Sequence, residues 1–383
     1  MTIGIDGSRA FLNKRTGIEE YSYQVIKHLR NNLEDHEVFL YLRKNQQVDF
    51  ELPKNWKIKV IKMPRLWTQA GLVLEMLVHP VDTLFVPAHT APWIHPENTV
   101  VTVHGLEYEF CPEAYSLWER LYMRWSIRMS CKWAKEIIAV SENTKWDLVQ
   151  LYGVKEEKIQ VVYEGYDLQM ENANLKMQND DRKGDMQEPY LLFVGRIEER
   201  KNIANVVEAF DVLKDIYKVP HKLVLAGKPG YKYEDIKLQI TNSKHEKDIV
   251  ELGYVSDEEK WALLENAEAF VFPTCYEGFG IPILEAQSMG CPVIAGNNSS
   301  VPEVVNFSDP TKSSGEFACK AGDVCNLCSA VLVDHRSPKA IARAMALLIN
   351  DRSLRSEMVQ KGLENVKRFS WEKCSQEIAE VLK

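Results

Sequence analysis

Short runs of aliphatic, β-branched and aromatic residues alternate with longer mixed stretches along the whole chain. After IGID near the start, the first half carries VFLYLR, IKVIK, TLFVPA, TVVTVH, EIIAVS and IQVVYEG; the second half carries YLLFVG, KLVLAG, IVELGYV, AFVFP, CPVIAG and AVLVD. The runs are apolar throughout rather than alternating, which predicts strands buried on both faces with helices covering them. Strand–helix alternation of this kind gives parallel sheets, and two such series predict two doubly wound α/β domains. A length of 383 residues, more than one core usually supports, agrees with that division.

Between the two series lies DLQMENANLKMQNDDRKGDMQEP, which is polar and poor in core-forming residues. It reads as a linker at 169–188, between a first domain at 1–168 and a second at 189–368. The final segment, RFSWEKCSQEIAEVLK, predicts a helix over 369–383. A second irregular region, NFSDPTKSSGEFACKAGDVCNL, separates the helix near Val304 from AVLVD and reads as an insertion at 306–328.

Composition narrows the class. Hydrophobic residues make up 45% and charged residues 27%, as in soluble globular proteins. A net charge of −8 argues against nucleic acid as the main partner. The opening MTIGID enters a strand pattern with no basic-then-apolar leader, and the longest apolar stretch, AGLVLEMLVHPVDTLFVPA, is broken by Glu75, His79 and Asp82. The expectation is a cytoplasmic protein whose eight cysteines are reduced thiols. Cys319, Cys325 and Cys328 cluster, but only the last two have Cys-x-x-Cys spacing. With His335 nearby, a zinc-stabilised loop is the alternative to free thiols in a surface insertion.

Chemistry concentrates at EGFGIPILE. Glu277 and Glu285 stand eight residues apart with Gly278, Gly280 and Pro282 between them. A continuous helix would separate the two side chains by about two turns. The glycines instead predict a loop, and Pro282 fits a first helical turn, so Glu277 belongs on the loop and Glu285 early in the helix. A helix start is an anion site. A carboxylate, a row of amides and a second carboxylate suit a polyhydroxylated anion such as a sugar nucleotide.

This segment resembles the paired-glutamate motif of the retaining glycosyltransferases of family four, the group 1 glycosyltransferases, and the resemblance extends over nearly the whole chain. It implies the GT-B fold: two Rossmann-like domains facing each other across a cleft, an N-terminal acceptor domain, a C-terminal nucleotide-sugar domain, and a last helix crossing back to the first. It also implies that Glu277 contacts the donor sugar and Glu285 the ribose hydroxyls, with Gly278, Phe279, Gly280 and Ile281 lining the donor.

After YLLFVG comes GRIEERKN, at the strand end that faces the ligand crevice in open parallel sheets. Arg196 offers a bidentate fork and Lys201 a point charge, and the resemblance makes them the diphosphate clamp. Glu198, Glu199 and Arg200 read as a solvated helix start. No Asp-x-Asp motif stands in the expected place, so fixed cations and helix amides are expected to stabilise the leaving group without a metal. In LGYVSDEEKW, Ser256 and Glu259 have capping-box spacing. The resemblance places the base at the preceding turn, at Gly253, Tyr254 and Val255; the alternative is a capped surface helix with Tyr254 in the core. Lys228, in AGKPGY, is a further candidate for the diphosphate or base.

In the first domain, Thr16 and Gly17 precede a helix, where glycine allows close approach to phosphates. A dinucleotide loop would want Gly-x-Gly-x-x-Gly after the first strand, and only Gly4 and Gly7 are there. His104 ends TVVTVH. A lone histidine there is often structural, but the resemblance sets it against the donor sugar; the usual following Asp is replaced by Gly105. Glu164 either helps shape the sugar site or caps the strand end, and the structural role is the favoured reading. In the helix at 116–136, Arg120, Arg124, Arg128 and Lys132 recur every four residues among Trp118, Tyr122, Trp125 and Trp133. Such a helix either packs on the sheet with solvated arginines or rests on an anionic membrane surface.

The resulting expectation is a retaining hexosyltransferase without a cofactor, moving a sugar from a nucleotide diphosphate donor to a sugar or lipid-linked oligosaccharide acceptor. No second carboxylate is placed as a covalent nucleophile, so same-face displacement is the natural picture. The stretch VIAGNNSSVPEVV resembles subgroups that transfer mannose in bacterial surface polysaccharides, which favours GDP-mannose over UDP-glucose or UDP-N-acetylglucosamine. A non-catalytic nucleotide-sugar-binding regulatory subunit is the alternative from another class.

Overall fold

The computed structural model describes residues 1–167, 188–305 and 329–383. The linker assigned at 169–188, apart from Glu188, and the insertion with Cys319, Cys325 and Cys328 lie outside the described residues. The chain divides into two compact units: Met1–Leu106 with Ser116–Gly165 and Phe369–Lys383, and Glu107–Tyr115 with Tyr166–Arg368. Glu107–Tyr115, inside the first sequence block, thus clusters with the second unit.

The first unit is built on strands Thr2–Asp6 (β1), Glu37–Arg43 (β2), Trp56–Ile61 (β3), Thr83–Val86 (β4), Asn98–Val103 (β5), Glu136–Ala139 (β6) and Ile159–Val161 (β7). Their order is β3-β2-β1-β4-β5-β6-β7, with every pair parallel. The central runs Ile3, Ile5, Leu84, Phe85, Val101 and Val103 are fully buried, as strands covered on both faces must be, whereas edge strand β3 exposes Ile58 and Val60. Helix Gly17–Leu29 (α1) starts at a Thr16–Glu19 capping box. Helix Leu117–Trp133 (α2) starts at a second, Ser116–Glu119.

The C-terminal helix Trp371–Leu382 belongs to this first unit and packs on α1. Trp371 meets Tyr21 edge-on with centroids 5.9 Å apart, and Asn32 donates to Ser375 Oγ at 3.0 Å. The chain approaches so closely at Gly165 that a Cβ there would lie 2.3 Å from the Trp371 backbone nitrogen.

The second unit carries Tyr190–Val194 (β8), Lys222–Ala226 (β9), Ile249–Gly253 (β10), Ala269–Phe272 (β11), Val293–Gly296 (β12) and Val331–Val333 (β13), in the parallel order β10-β9-β8-β11-β12-β13. Its helices include Ile203–Tyr217 (α3), Asp257–Asn266 (α4), Ile281–Ser288 (α5), Pro338–Asn350 (α6) and Arg352–Val366 (α7). The chain runs outward from β8 to β10, then returns to the other side of β8 as β11. The carboxyl ends of β8 and β11 therefore form a topological switch point, where an open parallel sheet leaves a crevice for ligand. Helix α5, which follows β11, is locked against α7: Asn365 donates to Gln287 Oε1 at 2.9 Å, and Gln287 donates to the Ser329 carbonyl at 3.0 Å.

Candidate active site

Two loops meet at that switch point. The first leaves β8 through Gly195, makes a tight turn over Glu199–Lys201, and enters α3 after Asn202, whose backbone is left-handed at φ 61°. The second leaves β11 and runs through Cys275, Tyr276, Glu277 and Gly278 to Gly280, which precedes α5 at φ 117°. They are stitched by the Cys275 amide donating to the Arg200 carbonyl at 3.0 Å and by Asn202 Nδ2 donating to the Pro273 carbonyl at 2.8 Å. From the far side, Ser299 Oγ accepts the Glu277 amide at 3.1 Å, and Ser300 Oγ lies 2.9 and 2.7 Å from the carbonyls of Glu277 and Phe279.

This scaffold sets Lys201 Nζ 2.6 Å from Glu277 Oε1, with both side chains buried. Arg200 joins them, its Nη1 3.6 Å from the same oxygen and 3.2 Å from the Tyr276 carbonyl, while Nη2 pairs with Glu198 at 3.0 Å. The expectation of a solvated Glu198–Glu199–Arg200 start is overturned for Glu198 and Arg200, whose side chains are mostly enclosed. The turn at Glu199–Lys201 aims Arg200 and Lys201 at one acid, which a continuous helix would not do. Burial opposes ionisation of Glu277, but Lys201 and Arg200 outweigh it and hold its pKa below the ordinary value. Burial acts hardest on Lys201 and lowers its pKa despite Glu277. Burial also opposes the charge on Arg200, but Glu277, Glu107 and Glu198 raise its pKa further above its already high value.

The neighbouring strand ends close around glycines. The Gly195 amide donates to the Ala226 carbonyl at 2.9 Å and the Gly227 amide to the Gly253 carbonyl at 2.7 Å. Gly227, at φ +153°, sits so tightly that a Cβ would fall 1.7 Å from the Gly195 carbonyl oxygen. On this rim Arg196 is exposed and makes no hydrogen bond or ion pair among the described residues. Lys228 Nζ lies 4.5 Å from the centroid of the Tyr254 ring. Tyr254 is 65% exposed, so the reading that put it in the core is wrong; Val255 beside it is half-buried. The Ser256–Glu259 capping box of α4 is formed.

Glu285 lies on α5, next after Leu284, with Phe279 buried and Gly280 and Ile281 at the helix start. Its carboxylate is met by a residue that no motif singled out: Lys260 of α4 places Nζ 2.8 Å from Glu285 Oε1. Arg200 and Lys260 are the two contributors that sequence reasoning missed. The only signal for either was a cation of no obvious purpose close to a motif.

His104 and Gly17 belong to the first unit. Gly17 opens α1, and a Cβ there would meet nothing within 4 Å. His104 Nε2 is 3.1 Å from the Pro87 carbonyl and Nδ1 3.3 Å from Glu164 Oε1, and the ring stands edge-on to Tyr21 with centroids 4.5 Å apart. Glu164 is therefore the partner of His104. On α2 the buried face is Ser126, Ile127, Ser130 and Cys131, whereas Leu117, Trp118, Leu121, Tyr122 and Trp125 are exposed, Trp118 at 81%. Arg128 lies over Tyr152 and donates to the Leu151 carbonyl while remaining exposed, as Lys132 also is. Among the described residues, no helix is long and apolar enough to cross a membrane, and no cluster of His, Cys, Asp or Glu is placed to hold a metal ion.

The chain matches two family models in tandem, Glycosyltransferase Family 4 over residues 15–170 and Glycosyl transferases group 1 over 177–365. It is 29% identical to O-antigen chain mannosyltransferase B of Escherichia coli over 73% of this chain and 68% of that protein. It is 27% identical to O-antigen chain mannosyltransferase RfbU of Salmonella typhimurium over 67% of this chain and 65% of that one. The chain thus spans only part of the length of these curated relatives. Among solved structures, Anabaena HepE in complex with UDP and glucose superposes with a TM-score of 0.69 at 18% identity, covering 100% of this chain and 99% of that one. Two parallel Rossmann-like units, each under its own glycosyltransferase model, make this chain a glycosyltransferase of the group 1, family 4 kind with the GT-B fold.

Proposed function

We propose that this chain is a retaining, metal-independent hexosyltransferase of polysaccharide or glycolipid biosynthesis, taking the sugar from a nucleotide diphosphate donor and mannose in preference. One observation carries the reading: a carboxylate, Glu277, held by Lys201 and Arg200 at the switch point of a parallel sheet. The geometry supports a division of labour there. Lys201, Arg200 and the exposed Arg196 offer positive charge to a diphosphate leaving group, and the start of α5 adds amide dipoles. Glu277 is fixed through its backbone by Ser299 and Ser300, so its carboxylate is positioned before a sugar hydroxyl reaches it. Glu285 takes the ribose hydroxyls, and Lys228 with Tyr254 flanks the base or diphosphate, next to Val255. Within the first unit, His104, oriented by Glu164 and Pro87, and Gly17 are the residues assigned to donor recognition. No residue is needed as a covalent nucleophile, and transfer on one face of the sugar retains configuration.

The mannosyltransferase relatives favour GDP-mannose; HepE, solved with UDP and glucose, keeps a UDP-sugar as the second reading. The exposed aromatic face of α2 supports peripheral contact with a membrane that presents a lipid-linked acceptor. The test is incubation with GDP-mannose, UDP-glucose and UDP-N-acetylglucosamine in excess chelator. Release of diphosphate from one of them, with the anomeric configuration kept in the product, is expected. Binding without release from any donor, in the presence of oligosaccharide and lipid-linked acceptors, favours the regulatory subunit instead.

A further inference from the structure

Lys260 and Glu285 come from different helices, 25 residues apart, and meet at 2.8 Å with side chains only 16% and 19% exposed. Three features show that the contact is built. Lys260 Nζ sits 4.1 Å from the centroid of the Trp261 ring, so an aromatic face backs the ammonium. The lysine reaches a second acid, Asp257, at 3.4 Å, but Asp257 is 83% exposed, which leaves Glu285 as the partner that matters. Helix α5 is itself immobilised through Gln287, Ser329 and Asn365, so the freedom left to Glu285 is in its own side-chain torsions.

The carboxylate is also half-used. Lys260 holds Oε1, and no other described residue donates a hydrogen bond to the Glu285 side chain. Burial works against the charge on Lys260, but Glu285 outweighs it and raises the lysine's pKa, so the ammonium persists. A carboxylate fixed at one oxygen and open at the other has lost its rotamer entropy before any ligand arrives, and the cost of ordering it is removed from the binding step.

We propose that Lys260 is a positioning residue for nucleotide recognition: it orients Glu285 so that the carboxylate accepts the vicinal hydroxyls of the donor's ribose. The inference rests on the reading of Glu285 as the ribose contact and adds the residue that makes this contact selective. In this role Lys260 acts through the acid, so its signature is discrimination between ribose and a sugar without hydroxyls.

The measurement is calorimetric binding of GDP and UDP, with their 2′,3′-dideoxy counterparts, to the full chain and its variants. The wild type is expected to prefer the ribonucleotide by about tenfold or more, a single well-made hydrogen-bonded contact. Lys260→Met, of similar length but without charge, is expected to collapse that preference to within about twofold while the dideoxynucleotide binds nearly as before. Lys260→Arg is expected to keep most of it, and Lys260→Ala serves in place of Lys260→Met if that variant does not fold. A preference unchanged in Lys260→Met, including equal weakening of both nucleotides, overturns the inference. Glu285→Ala separates the two layers: if it also leaves the preference intact, the ribose reading of Glu285 is wrong; if it abolishes the preference while Lys260→Met does not, only the role of Lys260 fails.

Discussion

Lys201 Nζ donates to Glu277 Oε1 at 2.6 Å across 76 residues of sequence, and both side chains are about one-tenth exposed. The two charges are buried together. Removing one member of a buried pair leaves the other charge without compensation, which typically costs about 3–5 kcal/mol. Lys201→Ala is therefore expected to lower the melting temperature, weaken nucleoside diphosphate binding, and reduce transfer by about 10²–10³-fold. Glu277→Ala is expected to reduce turnover more than nucleotide affinity, because Glu277 faces the sugar in the proposed site. Steady-state kinetics alongside calorimetry checks the pair; variants as active as wild type remove both residues from the site.

The same pair sets a pH dependence. Glu277 has a lowered pKa in the folded chain, so the unfolded chain takes up its proton at higher pH. The stability it contributes is fully present above the ordinary carboxylate value of 4.5 and is lost as pH falls through the lower, folded-state value. Melting curves of wild type and Glu277→Gln between pH 7 and about pH 3 are expected to converge on the acid side. A constant difference across that range contradicts the assignment.

Gly227 gives a purely structural prediction. With φ +153° and a virtual Cβ 1.7 Å from the Gly195 carbonyl, Gly227→Ala requires the rim loops to separate. The strained backbone alone costs on the order of 1–3 kcal/mol, and the clash adds to it. Denaturant melts are expected to show that loss together with weaker nucleotide binding, since Arg196 and Lys228 follow these two glycines. Full stability would mean that the loops are not packed as described.

Nucleotide choice is read by thermal shift with UDP, GDP and ADP. A ligand at one hundred times its Kd stabilises the native state by about 2.7 kcal/mol, enough to move a melting temperature by several degrees. GDP is expected to give the largest shift, unchanged by chelator. A larger shift with UDP moves the donor to UDP-glucose or UDP-N-acetylglucosamine without disturbing the site.

The aromatic face of α2 is tested on vesicles. Flotation with anionic liposomes, but not neutral ones, is expected for wild type, and Trp118→Ala combined with Trp125→Ala is expected to reduce it severalfold. Equal behaviour of both proteins on both vesicles removes the membrane role and leaves nucleotide binding untouched.

Much was legible along the chain because it is local. Among the described residues each of the thirteen strands overlaps one of the apolar runs, since a central strand buried on both faces has little choice but to be apolar throughout. The cap at Ser256 lies three residues from its partner Glu259. The glycine-rich loop ahead of Pro282 announced a helix start between Glu277 and Glu285.

What local pattern does not contain is strand order. Arg200 looked like part of a solvated helix start because its acid lies on the loop after β11, and only the placing of β11 beside β8 brings the two together. Lys260 stands one position beyond a capping box and meets its acid only because α4 and α5 converge. His104 and Glu164 found each other by the same means, from strand ends sixty residues apart. The amino-acid sequence by itself determined the two parallel-sheet units, the caps and the loop–helix that carries the acids, because each depends on neighbours within a few residues. Which cation meets which acid was decided by tertiary structure alone, because electrostatic pairing acts through space and its strength depends on burial that no short stretch of chain can supply.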